Sequence, residues 1–118
     1  MTFRPPGRPT ADLWRNSPAG VLDYEIAQET ASALGRQGRA LETALAALAA
    51  FDNAAKESAG SASPSARGAL VAAAAQALWE FVVQREACGL RDAGMVVRMY
   101  RVPAEVRDRM GAFPQRRP

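Results

Sequence analysis

The stretch Tyr24-Glu-Ile-Ala-Gln-Glu-Thr-Ala-Ser-Ala-Leu-Gly-Arg-Gln-Gly-Arg-Ala-Leu-Glu-Thr-Ala-Leu-Ala-Ala-Leu48 decides the fold. Small or apolar residues recur in alternating steps of three and four: Tyr24, Ala27, Ala31, Leu34, Gly38, Leu41, Leu45 and Leu48. This spacing keeps one stripe on one side of a helix and makes the seam of close antiparallel or coiled-coil packing. A second apolar row, Ile26, Ala33, Ala40, Ala44, Ala47 and Phe51, lies beside it. Glu25, Glu29, Ser32, Arg36, Arg39 and Thr43 form the polar side. Ser17 as N-cap and Pro18 at the first helical position open the helix. Over 18–54 it is about 55 Å long. Gly35 and Gly38 each cost roughly 1 kcal/mol against alanine inside a helix, so either a neighbouring helix approaches closely there or the helix kinks.

Downstream, apolar periodicity fades after Asp52, and residues 56–63 are small and polar, the composition of a flexible loop. Ser63-Pro64 repeats the cap-plus-proline signal. The second helix, 64–88, is apolar on most faces between Leu70 and Val83, with rows Val71, Ala74, Leu78, Phe81, Arg85, Cys88 and Ala75, Trp79, Val82. Such a helix is expected to be buried on more than one side. Gly89 stops it, and Leu90 can fold back in the accompanying hydrophobic contact. Asp92 caps a short third helix, Ala93–Tyr100, presenting Met95, Val96, Met99 and Tyr100. Pro103 opens a fourth that ends at Gly111, with Val106 and Met110 inward; Phe113 can tack down its end. Upstream, residues 1–16 read as a flexible arm with Trp14 as an anchor, 17–112 as a single helical domain and 113–118 as a disordered tail.

The composition agrees with an all-α class. Of the 118 residues 48% are hydrophobic, but 26 of those are alanine, which favours helix and buries little area. The expected architecture is a long antiparallel helical hairpin plus two short C-terminal helices. One hairpin cannot cover two apolar rows on the first helix and a nearly all-apolar second helix. The uncovered face predicts a homodimer with a four-helix-bundle-like core. No apolar run is long enough to suggest a membrane span, and no apolar segment follows the basic N-terminus as in a signal peptide. A lone cysteine suits a reducing compartment, so the expected location is the cytoplasm. The net charge of +3 hides an asymmetry: residues 21–90 carry five basic and eight acidic residues, whereas 91–118 carry seven arginines against three acids. Only Lys56 is a lysine, a preference that reads as coding bias rather than recognition.

The polar cluster of Gln84, Arg85, Glu86, Cys88 and Arg91 at the end of the second helix is the candidate ligand or partner site. Arg85 shares a row with Leu78 and Phe81. Its guanidinium is therefore expected to be partly buried and paired, with Glu25 or Glu29 of the same chain or of a second subunit as partners. A salt-bridged structural corner is the expected reading and an anion or partner patch its rival. Cys88 is the one candidate nucleophile, but the chain has no histidine to activate it. It also lies where the helix dipole disfavours a thiolate, so a structural role is expected. Glu25 and Glu29 sit one turn apart, yet a ferritin-like metal site also needs histidines. No glycine loop or nucleotide fingerprint implies a cofactor. Arg98, Arg101, Arg107 and Arg109 on the two short helices are candidate phosphate contacts for a DNA-binding regulator. The fourth helix, however, is short, carries Glu105 and Asp108, and lacks a set of base-reading side chains.

Leu22-Asp-Tyr-Glu25, Ala33-Leu-Gly-Arg36 with Gly38-Arg39, Gln84-Arg-Glu-Ala-Cys-Gly-Leu-Arg-Asp92 and Val102-Pro-Ala-Glu-Val106 together resemble a family of small bacterial helical proteins known only as a domain of unknown function. The resemblance covers roughly residues 20–112. It implies a compact helical fold and lends no catalytic residues. The leading expectation is thus a non-enzymatic helical interaction or structural module acting as a homodimer. A nucleic-acid partner and a small-ligand site are the alternatives.

Overall fold

The computed structural model describes residues 18–58 and 63–112. Expectations for Trp14, Ser17, the first arm, residues 59–62 and Phe113 lie outside the described residues. Four helices follow one another: α1, Pro18–Ser58; α2, Pro64–Ala87; α3, Ala93–Met99; and α4, Ala104–Ala112. No strand occurs among the described residues, as the alanine content and the 3.6-residue periodicity require.

Helix α1 is one continuous α-helix of 41 residues, about 62 Å long. It runs four residues past the expected end at 54. Loss of the apolar seam does not stop a helix when Ala54, Ala55, Lys56 and Glu57 are all good helix formers. The residues up to Ala33 and those from Leu34 onward form separate compact units. In the first, the seam residues Tyr24, Ala27 and Ala31 are exposed, as is Ile26 of the second row. The seam therefore performs as expected only in the second unit, where Gly38, Leu41 and Leu48 are buried and Leu34 and Leu45 partly so.

In that second unit α1 and α2 run antiparallel. Gly38 meets Phe81, and Asp52 meets Arg67: fourteen residues forward in α1 correspond to fourteen back in α2. A Cβ on Gly38 would sit 2.9 Å from the Tyr100 hydroxyl oxygen and 3.4 Å from Cζ of Phe81. Close approach, not chain flexibility, explains this glycine. Gly35 is different, since a Cβ there would meet only the guanidinium of Arg39 on its own helix.

Helix α2 opens on Ser63, whose hydroxyl accepts from the Ala66 N–H at 3.2 Å, with Pro64 following as expected. It supplies half of the core: Val71, Ala74, Ala75, Leu78 and Phe81 pack with Leu41 and Leu48 of α1 and with Val96, Val102 and Val106. Two expectations for α2 need correction. Its outer side is not covered, for Val83 is 43% exposed and Trp79 only half-buried. It is also long and apolar enough, by length and composition alone, to cross a membrane.

Helix α3 opens on Asp92, whose carboxylate accepts from the Met95 N–H at 3.0 Å. Of the residues it presents, Val96 is buried and Met99 is 67% exposed. Helix α4 packs on α2 through Val106, with Met110 partly buried, and runs through Gly111 rather than ending there.

Candidate functional site

The C-terminal end of α2 builds the polar corner in a few steps. Gly89 adopts φ of 88°, the left-handed conformation that glycine takes without a Cβ penalty. The Leu90 N–H then donates to the Arg85 carbonyl at 2.8 Å and the Gly89 N–H to the Glu86 carbonyl at 3.0 Å. The last carbonyls of α2 are thus satisfied by the backbone itself. The Leu90 side chain, which can fold back in the hydrophobic half of this motif, stays 44% exposed.

Arg85 points back over α2. Its guanidinium carbon lies 5.8 Å from the centroid of the Phe81 ring, a cation–π distance. Phe81 in turn packs edge-to-face on Tyr100, with centroids 5.6 Å apart and ring planes at 75°. Within the chain, among the described residues, no carboxylate pairs with Arg85, and its buried Nε has no hydrogen-bond partner. Gln37, next to Gly38 in sequence, likewise leaves its buried Oε1 without a partner.

The neighbouring candidates spread out. The Cys88 thiol is free and half-buried, and accepts a long contact of 3.9 Å from the Gln84 side-chain amide, which cannot act as a base. Glu86 and Arg91 are exposed. Arg98, Arg101, Arg107 and Arg109 are exposed too. Arg98 lies 3.9 Å from Asp92 and Arg107 3.7 Å from its chain neighbour Asp108, both pairs at the surface. Arg101 has φ of 53° and stands where Gly89 stands on α2: the Val102 N–H reaches back to the Val97 carbonyl at 3.0 Å. An arginine here accepts a left-handed backbone that glycine would adopt freely.

The strongest polar constellation lies at the other end of the hairpin and was not among the sequence candidates. Arg67, one turn into α2, donates from Nε and Nη2 to the two carboxylate oxygens of Asp52 at 2.8 and 3.0 Å. It also donates from Nη1 and Nη2 to Glu105 at 2.8 and 2.6 Å. One guanidinium ties α1, α2 and α4 together in paired, fork-like geometry. The hydrogen bonds that Arg67 donates to Glu105 and then to Asp52 push it further up from its already high range. The same bonds hold the Asp52 and Glu105 carboxyls below their ordinary range, against the opposing effect of burial. The partners stand 15 and 38 residues away, a separation that no helical spacing rule links. A shallow cleft of about 400 Å³ lies alongside, floored by Leu45, Leu48 and Pro103, with Arg101 on its wall.

Residues 11–117 match the model of a family of unknown function, DUF6665. The chain belongs to that family. No curated protein and no solved structure matches it. The family match spans every described helix, including both the Arg85 corner and the Arg67 hub. What this arrangement offers chemically is arginine surface: guanidinium groups that bind carboxylates or other oxyanions, above all Arg85 and Arg91 at the α2 corner.

Proposed function

We propose that this protein is a non-enzymatic helical interaction module that acts as a homodimer with a four-helix-bundle-like core, in the cytoplasm. The observation that carries this reading is the first part of α1. Val21, Leu22, Tyr24 and Ile26 are 40%, 56%, 44% and 55% exposed. Four large apolar side chains within six residues, standing open on a regular helix, are the mark of a surface that a partner covers. Covering what remains exposed of each contributes about 1 kcal/mol. The uncovered outer side of α2 adds to the same argument.

The module reading also fits where chemistry is left unfulfilled. It lies in surfaces, apolar at the start of α1 and cationic at Arg85, rather than in a nucleophile paired with a base. Sedimentation velocity on the full chain at micromolar concentration tests the proposal. A dimer is expected; a stable, well-folded monomer across the accessible concentrations would refute it.

A further inference from the structure

The large apolar side chains exposed among the described residues fall into two sets along the chain. One is Val21, Leu22, Tyr24 and Ile26; the other is Val83, Leu90 and Met99. The two settings carry opposite charge. Residues 18–33 hold Asp23, Glu25 and Glu29 and no basic residue, a net charge of −3. Residues 83–101 hold Arg85, Arg91, Arg98 and Arg101 against Glu86 and Asp92, a net charge of +2. In the second setting Arg85 is half-buried on Phe81 with its Nε unsatisfied and no carboxylate beside it. Arg91 is exposed, with no ion pair among the described residues.

We propose that the opening turns of α1 of one copy dock against the α2–α3 corner of a second copy, where Glu25 supplies the carboxylate that Arg85 and Arg91 lack. This rests on the homodimer reading and names the surfaces that meet. Each copy carries an acidic apolar element and a basic apolar one, so a second copy of the chain satisfies both without a further partner. The pairing also supplies a counter-charge to the half-buried guanidinium of Arg85, whose burial without a carboxylate is costly. Opposite charges on the two surfaces set the register of docking and speed the encounter, while the apolar side chains supply most of the affinity.

Sedimentation velocity of the full chain, in low and in moderate salt, provides the test. Glu25→Arg and Arg91→Glu, both at exposed positions, are each expected to raise the dimer dissociation constant by about tenfold. The variant carrying both changes restores the opposite-charge pairing and is expected to return most of the affinity. Ile26→Ala weakens the dimer as well, and added salt weakens the wild type. Arg85→Glu is read only where circular dichroism shows a folded helical chain; the decision otherwise falls to the Glu25 and Arg91 pair. A wild-type dimer whose affinity neither single reversal changes would overturn this docking and leave the homodimer reading intact. A monomeric wild type would overturn both.

Discussion

At the scale of single residues, the two glycines in the middle of α1 have the same composition cost and opposite roles. Gly38 is buried where Phe81 and Tyr100 press on the helix backbone, and a methyl group there collides with the Tyr100 hydroxyl. Gly38→Ala is expected to destabilise the protein by about 1–3 kcal/mol through overpacking. Gly35→Ala meets only the far end of the flexible Arg39 side chain and is expected to stabilise it by up to about 1 kcal/mol through helix propensity. Urea unfolding of both variants checks the pair, and equal effects at the two positions would contradict the packing account. The sequence marks both glycines as weak points. It does not say which one has a neighbour, because that depends on a tyrosine 62 residues away. Arg85 teaches the same lesson. Its row on α2 indicates the partial burial that is found, but not the Phe81 ring one turn earlier against which its guanidinium lies.

At the scale of elements, helix starts are written locally and helix attachments are not. Ser63 and Asp92 cap α2 and α3 as their residue types dictate, because a cap is satisfied within four residues. Helix α1 runs past the end that its apolar periodicity predicts, because periodicity reports packing, whereas the backbone continues as long as the propensity allows. Helix α4, apolar only at Val106 and Met110 among the described side chains, is held by its core contacts and by Glu105 on Arg67. Arg67→Ala is expected to weaken this attachment and to leave Asp52 and Glu105 unneutralised. The pH dependence gives the clearest readout. Because Arg67 holds both carboxyls below their ordinary values of 3.8 and 4.5, their contribution is complete above those values and disappears as pH falls through the depressed ones. The stability difference between wild type and Arg67→Ala is therefore expected to be largest near neutral pH and to shrink below about pH 4, measured by urea unfolding across pH. A difference independent of pH down to 2 would mean that the arginine acts only by packing its stem.

At the scale of the whole molecule, the exposed surface at the start of α1 and along α2 links folding to association. If the folded chain dimerises, dissociation accompanies unfolding, and the melting temperature is expected to rise with protein concentration. Thermal melts at two concentrations tenfold apart, followed by circular dichroism, test this; coincident melts would indicate that the monomer unfolds alone. The sequence by itself determined the helical class, the seam on α1 and the breaks between helices. Each of these follows from residue propensities and spacings within a few positions along the chain. Tertiary structure alone decided which part of the seam is buried, why Gly38 is a glycine and that Arg67 joins three helices. Those outcomes depend on side chains brought together from 15 to 62 residues apart, where packing geometry, not local pattern, selects the neighbour.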